Sequence, residues 1–181
     1  MWLTETPPKM IEVHLDKLLL VVKQQIVKEF PGLNLIIETE NLTSLSADWE
    51  QMKLLFYHLL SNAIRFRKKE HEVYVRISGS IVMLNQFRNI RNKYKYTEFV
   101  KLNILDDGIG FNSEYKEQVF KLFKRLHATS GRGIGLSLCK KIVESHAGTI
   151  TIESQESEGT TVSIFFPILN IHHQKMDAMN G

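Results

Sequence analysis

Residues 54–66, LLFYHLLSNAIRF, decide the fold of this chain. Their apolar side chains recur at steps of three and four residues, which is the period of a helix that buries one broad face. That face is formed by Leu55, Leu59, Leu60, Ala63, Ile64 and Phe66. The stretch is therefore predicted to be a helix that packs against the core of the domain.

A polar set follows the other side of the same helix. His58, Asn62 and Arg65 are spaced by four and three residues, so they lie on neighbouring turns. Asn62 has hydrophobic neighbours, and it has two interpretations: an amide with a functional use, or a core amide whose hydrogen bonds the backbone satisfies. The helix alone does not decide between them.

The strand that ends at Asp106 carries a second polar signal. Val100, Leu102 and Ile104 occupy alternate positions, and the same parity makes Asp106 the next inward residue. A buried carboxylate without a donor is costly, so Asp106 is expected to accept a hydrogen bond. Either a ligand supplies the donor, or Asp106 only caps the following turn, a role that Asp107 fits equally well.

A glycine-rich segment, residues 131–136 (GRGIGL), opens a predicted helix that runs to about His146 and ends at Gly148. Glycines at a helix start let backbone N–H groups approach an anion, and the positive helix end adds to the attraction. The segment is a predicted phosphate cradle. It is not a dinucleotide-binding fingerprint, because no strand feeds it directly, and it lacks the Gly-Lys-Ser/Thr ending of a Walker A loop.

The composition fits one folded domain. Apolar residues make up 43% of the 181 residues and the net charge is +3, which argues against disorder and does not imply a nucleic acid partner. Basic and aromatic residues interleave in residues 84–97, but both flanks are predicted strands, so we interpret this stretch as a long hairpin connection. The single Cys139 excludes a disulfide within the chain and is predicted to be buried. No apolar run reaches the length of a membrane span, so we expect a cytoplasmic domain without direct membrane contact.

The remaining pattern predicts further helices at residues 11–30 and 114–126, and strands at 33–38, 42–45, 73–83, 100–106, 149–154 and 160–166. Asp48 is predicted to cap the central helix, with Gln51 at the spacing of a capping box. Together these elements predict an α+β fold, a two-layer sandwich in which a mixed sheet carries helices on one face. The domain is expected to span residues 11–168, between a leader at 1–10 and a flexible tail at 169–181.

Four segments in order give the chain a family resemblance. The Asn62 helix, residues 106–110 (DDGIG), residues 120–123 (FKLF) and residues 131–136 resemble the N, G1, F and G2 boxes of the ATP-binding catalytic domain of sensor histidine kinases. Those kinases belong to a superfamily with gyrase, the heat-shock chaperone and the mismatch-repair ATPases. The resemblance covers most of the chain, and four boxes in order are far more specific than one glycine-rich piece. It implies the Bergerat-type ATP-binding fold, with ATP and Mg²⁺ as cofactors.

The resemblance implies roles for the first two boxes. Asn62 ligates Mg²⁺, Arg65 replaces the usual Lys that offers charge to a phosphate, and Phe66 lies beside the adenine. Asp106 accepts from the exocyclic amine of adenine. The residues that make room for the base are Gly108, Ile109 and Gly110.

The later boxes are implied to contact the phosphates. Arg125 and His127, at a short lid of about residues 127–132, have two interpretations: contacts to a phosphate or plain surface residues. Arg125 is the better candidate to reach a phosphate. The G2 residues that let the lid and helix close on the phosphates are Gly131, Gly133, Ile134, Gly135 and Leu136. Residues 159–161 resemble the last small box, in which Thr161 is the candidate contact.

His58 departs from the family. Kinases commonly have Asn here, a second residue of the Mg²⁺ site, and hydrolysing relatives have a Glu that activates water. The resemblance therefore implies a protein-histidine kinase domain that donates the γ-phosphoryl group of ATP to a histidine on a separate dimerisation hairpin. The catalytic residues that it implies are Asn62, His58 and Arg65. A response regulator would act downstream. The alternatives are an ATP hydrolase of the same superfamily and a non-catalytic module that binds nucleotide or a partner. Since family dimers form through that hairpin, the chain is expected to be monomeric.

Overall fold

The computed structural model describes residues 7–69, 72–85, 96–120 and 135–168. Its elements, in chain order, are β1 (Ile11–His14), α1 (Leu15–Glu29), β2 (Asn34–Glu40), β3 (Ser44–Ala47), α2 (Trp49–Arg65), β4 (Glu72–Asn85), β5 (Tyr96–Asp106), a 3-10 turn (Ser113–Tyr115), α3 (Gly135–Ser145), β6 (Thr149–Gln155) and β7 (Gly159–Pro167).

The predicted mixed sheet with helices on one face is confirmed. Five strands form it in the order β2-β4-β5-β7-β6, with β2 parallel to β4 and all other neighbours antiparallel. The pairing of β4 with β5 runs from Val75 opposite Asp106 to Asn85 opposite Tyr96, so the stretch between them connects a hairpin, as predicted. The loop itself lies outside the described residues.

The core lies between the inward face of this sheet and the helices. The apolar face of α2 is buried as predicted, except that Phe66, which follows the helix, is only partly buried. Cys139 on α3 is also buried, and burial raises the pKa of its thiol to about 12. Within the described ranges, every helix is too short or too polar to cross a membrane.

The predicted helix at residues 11–30 begins later than expected. Residues Ile11–His14 form β1, which pairs antiparallel with β3 in a separate two-stranded sheet, and the helix starts at Leu15. In β1 only Val13 is buried, so the segment alternates with the period of a strand, and β3 supplies its backbone hydrogen bonds. The weak strand predicted at 42–45 is this β3, which lies outside the main sheet.

The start of α2 is capped as predicted, but the capping box is not reciprocal. Gln51 donates its backbone N–H to Oδ1 of Asp48 at 3.0 Å. The backbone N–H of Asp48 donates to Nε2 of His146 at 3.0 Å, where a capping box would use the Gln51 side chain. Gln51 instead accepts from the hydroxyl of Ser145 at 3.0 Å. These bonds fasten the end of α3 to the start of α2.

The end of α3 differs from its prediction in one residue. Gly148 is close to the helix end, but the left-handed conformation belongs to Ala147, whose φ is +55°. Gly148 donates its N–H to the carbonyl of Val143 at 2.9 Å, and Ala147 donates to Glu144 at 3.0 Å, which is the Schellman arrangement. Gly148 is needed for space, because a Cβ there would lie 2.7 Å from the carbonyl oxygen of Phe165.

Replacing Ala147 by Gly is expected to stabilise the fold. The left-handed conformation costs a residue with a Cβ about 1–2 kcal/mol, which glycine avoids. Glycine also has greater freedom in the unfolded chain, and this offsets part of the gain in stability. We expect Ala147→Gly to raise the free energy of unfolding by roughly 0.5–1 kcal/mol in urea titrations. Gly148→Ala, the opposite change one residue later, should lower it. A stabilising Gly148→Ala would contradict this assignment.

The helix predicted at residues 114–126 is not formed where the structure describes it. The 3-10 turn Ser113–Tyr115 is followed by turns to Phe120. Asn112 caps it as predicted, since Oδ1 of Asn112 accepts the N–H of Glu114 at 3.0 Å. Residues 112–117 are all exposed, so this segment offers no apolar stripe that would stabilise a regular helix. Residues 121–126 lie outside the described residues.

Candidate functional site

The candidate site lies at the edge of the sheet where α2 ends, α3 begins and β5 turns away. Phe66, the residue after α2, accepts the N–H of Ile109 on its carbonyl oxygen at 2.8 Å. At the start of α3, a Cβ on Gly135 would come within 4 Å of two side chains of α2. The N-box helix, the G1 turn and the start of the G2 helix are therefore brought together.

Asp106 ends β5 in the inward register that the sequence predicts. Its side chain is partly buried, and Oδ1 accepts the N–H of Gly108 at 2.9 Å. Burial raises the pKa of the Asp106 carboxyl to about 6, although hydrogen bonds from the backbone of Gly108 and Thr160 oppose the rise. Asp106 thus caps its own turn and still places a partly buried carboxylate at the sheet edge.

Asp107 has a different task. Its Oδ1 accepts the N–H of Tyr74 on β4 at 3.2 Å, and its own N–H donates to the carbonyl of Tyr74 at 3.3 Å. These two bonds extend the hairpin ladder beyond Asp106. The two neighbouring carboxylates are therefore not interchangeable, since Asp107 is committed to β4.

The turn after Asp107 is held on a second side by the β6–β7 connection. Ser157 donates its N–H to the carbonyl of Ile109 at 2.7 Å, and Phe111 donates its N–H to the hydroxyl of Ser154 at 2.9 Å. With the bond from Ile109 to Phe66, the turn is tied to α2, β4 and the β6–β7 hairpin. Its glycines sit in a preformed backbone frame.

Glycine is required in this frame by close approach. A Cβ on Gly108 would lie 2.6 Å from Oδ1 of Asp106 and 2.7 Å from the carbonyl oxygen of Phe66. A Cβ on Gly110, whose φ is +63°, would lie 2.0 Å from the carbonyl oxygen of Gln155. Side chains at either position would displace the groups that shape the site.

His58 and Asn62 face the start of α3. A Cβ on Gly135 would lie 3.5 Å from Nδ1 of His58 and 3.9 Å from Oδ1 of Asn62. Burial lowers the pKa of the His58 imidazole, and the positive charge of Arg65 lowers it further, so the neutral ring is favoured. An amide oxygen and a neutral imidazole nitrogen both suit a divalent cation. The position that a Cβ on Gly135 would occupy therefore has two donors beside it whose chemistry fits a divalent cation.

The other predicted residues of the first two boxes flank this point. Arg65 is exposed in the last turn of α2, where its charge is available to an anion. Phe66 is partly buried directly beneath the G1 turn, since its carbonyl holds Ile109. Ile109 itself is 37% exposed. Leu136 is partly buried and packs against the core, so it supports α3 more than it lines the site.

Thr161 does not lie with the other predicted residues of the site. It pairs with Leu105, and both alternate with the inward residues of their strands, so Thr161 lies on the outer face of the sheet. Thr160 is the residue opposite Asp106, and its hydroxyl lies 3.0 Å from that of Ser154. Thr160 replaces Thr161 as the candidate contact. The sequence signal that identifies Thr160 is the period of the strand, because counting back in steps of two from buried Ile164 and Val162 reaches Thr160.

The remaining predicted contacts fall on residues that the structure does not describe. These are Arg125, the lid at 127–132, Gly131, Gly133 and Ile134. Their assignments stay predictions. Phe120 is the one F-box phenylalanine within the described ranges. It is partly buried against the core, and Nζ of Lys140 lies 6.0 Å from the centroid of its ring.

Comparison with known families gives a match over most of this fold. Residues 47–170 match the family model described as "Histidine kinase-, DNA gyrase B-, and HSP90-like ATPase". The chain is 32% identical over 161 residues to cyanobacterial phytochrome A of Nostoc sp. (strain PCC 7120), a match that covers 87% of this chain and 19% of that protein. It is 28% identical over 162 residues to the adaptive-response sensory kinase SasA of Gloeothece citriformis, covering 86% of this chain and 37% of the kinase.

Solved structures share the fold. The catalytic domain of histidine kinase ThkA superposes with a TM-score of 0.66 at 23% identity, covering 88% of this chain and 95% of that chain. Full-length ShkA in complex with AMPPNP superposes with a TM-score of 0.66 at 17% identity, covering 88% of this chain and 31% of that chain. The chain thus corresponds to one domain of these longer proteins and spans well under half the length of the curated relatives named above.

Proposed function

Because the chain belongs to the family of histidine kinase-, DNA gyrase B- and HSP90-like ATPases, we propose that it acts as a protein-histidine kinase domain. In this proposal it binds ATP with Mg²⁺ and donates the γ-phosphoryl group to a histidine on a dimerisation hairpin. A response regulator receives the group afterwards. Such a domain works in the cytoplasm, where ATP is present, and stays monomeric apart from its hairpin.

The observation that carries the proposal is the contact between the two ligand-binding helices. Oδ1 of Asn62 and Nδ1 of His58 lie within 4 Å of the position of a Cβ on Gly135, at the very start of α3. An anion bound at that helix start would share a cation with the Asn62 side chain. Asp106 stands at the same edge of the sheet, where its carboxylate can accept from the amine of an adenine base.

The chain's own residues mainly position the nucleotide and neutralise its charge. Asn62 would hold Mg²⁺, which supplies charge neutralisation to the phosphates when it is bound. Arg65 offers a bidentate donor to a phosphate oxygen from the last turn of α2. Phe66 and the G1 turn form the wall beside the base, and the backbone start of α3 contributes N–H donors. These groups hold the nucleotide in one orientation, which is the main contribution of a protein to phosphoryl transfer.

Transfer to a histidine is favoured over transfer to water because position 58 lacks the Glu that activates water in hydrolysing relatives. His58 lies near the start of α3, and its imidazole can still accept a proton, so the residue type lowers hydrolysis without excluding it. The proposal therefore expects the chain alone to bind MgATP, to release phosphate only slowly and to acquire no label. With γ-labelled ATP, acid-labile label should appear on the hairpin of the parent kinase when that hairpin is added. Acid-labile label on this chain by itself would contradict the proposal, and steady phosphate release would favour a hydrolase.

Asn62→Ala is expected to remove most of the transfer. The substitution deletes the amide oxygen that faces the start of α3, so transfer to an added hairpin should fall about 100-fold or more, a change of about 2.7 kcal/mol. Initial rates at saturating MgATP measure it. Asn103→Ala is the matched control, because Asn103 lies on the outer face of the sheet, where it accepts from Ser163 at 2.9 Å. Equal rates for the two variants would exclude a role for Asn62.

A further inference from the structure

We propose that His58 makes the cation site of the nucleotide complex a mixed nitrogen–oxygen site that favours a divalent transition-metal ion, such as Mn²⁺, over Mg²⁺. This inference rests on the proposed function and concerns the same site. It concerns which ion the site selects, because His58 contributes a ring nitrogen where the family's kinases commonly contribute an amide oxygen.

The first support is geometric. His58 and Asn62 are one helical turn apart on α2, and both direct a heteroatom to the same side. The position that a Cβ on Gly135 would occupy lies 3.5 Å from Nδ1 of His58 and 3.9 Å from Oδ1 of Asn62. The nitrogen is the nearer of the two. Both donors therefore approach the same side of the start of α3, where an ion bound between them and an anion can take the imidazole nitrogen as a ligand.

The second support is the glycine itself. Both distances are ordinary van der Waals contacts for a methyl group, so among the described residues a group of that size fits beside Gly135. The other close-approach glycines of the site face backbone carbonyls or a carboxylate at 2.0–2.7 Å and leave no such space. Gly135 is thus the position at which a small ligand can contact α2 and the start of α3 together.

The third support is the environment of the ring. Tyr57 lies edge-on to His58, with ring centroids 5.5 Å apart and an interplanar angle of 73°. The Tyr57 hydroxyl donates to Glu29 at the end of α1 at 2.7 Å, which holds that neighbour in place. The imidazole is therefore packed beside an anchored ring, and this limits the orientations that Nδ1 can adopt.

The chemistry of the donor set gives the selectivity. Mg²⁺ prefers oxygen ligands and gives up water reluctantly. Divalent first-row transition-metal ions accept imidazole nitrogen more readily than Mg²⁺ does, and Mn²⁺, the weakest of them, sets the lower bound of the preference. Replacing one oxygen ligand by a nitrogen therefore favours the transition-metal ion in any site of otherwise equal geometry. The phosphate oxygens and Asn62 keep the site open to Mg²⁺, so the effect is a preference.

The test compares the wild-type chain with His58→Asn, which restores an amide at this position. Affinity for ATP is measured by calorimetry at saturating Mn²⁺ and at saturating Mg²⁺, so that the nucleotide is fully complexed in both. The affinity for ATP at saturating Mn²⁺, divided by the affinity at saturating Mg²⁺, should fall about tenfold in His58→Asn. Pulsed electron paramagnetic resonance on the MnATP complex gives an independent readout, because nitrogen modulation of the Mn²⁺ signal should be present in the wild type and absent from the variant.

His14→Asn is the matched control. His14 is an exposed residue at the start of α1, so the same substitution there should leave both the ratio and the nitrogen modulation unchanged. Binding of ATP with no nitrogen modulation and an unchanged ratio in His58→Asn would overturn this inference and leave the proposed function standing. Failure of the wild type to bind ATP with either ion would overturn both.

Discussion

Asp106→Asn is expected to weaken ATP binding about tenfold or more, while the unliganded protein becomes more stable at neutral pH. The loss follows because an amide has only one acceptor atom. If its oxygen keeps the N–H of Gly108, the other end of the side chain is an NH₂ donor, which cannot accept from the adenine amine. An unmatched buried polar contact costs about 1–3 kcal/mol, and each 1.4 kcal/mol or so is about tenfold in affinity. Calorimetric titration of MgATP into both proteins measures the change.

The gain in stability follows from the pKa of Asp106. Its folded value of about 6 lies above the ordinary value of 3.8, because burial disfavours the charged carboxylate. The folded state therefore binds the proton more tightly, and wild-type stability falls as the pH rises from about 4 to about 6. Asp106→Asn removes this penalty, which is on the order of 1–3 kcal/mol. The advantage should be present in urea unfolding at neutral pH and should vanish below about pH 4.

Asp107→Asn is the control for both effects. Asp107 uses Oδ1 to accept the N–H of Tyr74, and an amide oxygen can keep that bond. This variant should bind MgATP as the wild type does. Its pH-dependent gain should be smaller than that of Asp106→Asn, because the Asp107 charge only adds to the burial that raises the pKa of Asp106. If Asp107→Asn weakened ATP binding as much as Asp106→Asn, the strand parity would have assigned the wrong carboxylate.

Gly110→Ala is expected to cause the largest loss of stability in the G1 turn. The new Cβ would lie 2.0 Å from the carbonyl oxygen of Gln155, in a residue whose φ is +63°. The left-handed conformation costs about 1–2 kcal/mol, and forcing a methyl group into occupied space costs about 1–3 kcal/mol more. We therefore expect the free energy of unfolding to fall by about 2–5 kcal/mol, measured by urea denaturation.

Gly32→Ala separates the two costs. Gly32 also has a positive φ, +87°, but a Cβ there would meet no heavy atom within 4 Å. This variant should lose only the conformational part, about 1–2 kcal/mol. Equal losses of unfolding free energy in the two variants would show that the carbonyl oxygen of Gln155 does not restrict the side chain at position 110.

Features fixed by local periods were the ones that the sequence predicted well. The buried face of α2, the cap at Asp48 and the inward register of Asp106 each depend on neighbours within a few residues, and the structure confirms them. The mixed sheet followed from the strand pattern together with the family resemblance. Such signals are readable because the side-chain periods of helices and strands are geometric.

Features that depend on distant partners were predicted less well. The start of α1 was placed too early because β3 pairs with residues 11–14 from 30 or more positions away. The capping box failed because His146, 98 residues beyond Asp48, accepts the N–H that Gln51 was expected to take. Contacts between residues so far apart in sequence leave no periodic signal in either segment.

The most direct test of the central claim is calorimetric titration of the wild-type chain with ATP and with inosine triphosphate, both with Mg²⁺. The two nucleotides share their phosphates, but inosine carries a carbonyl oxygen where adenine carries the amine that Asp106 would accept. We expect one ATP to bind per chain and inosine triphosphate to bind more weakly by about tenfold or more. Equal affinity for the two, or no binding of ATP, would contradict it.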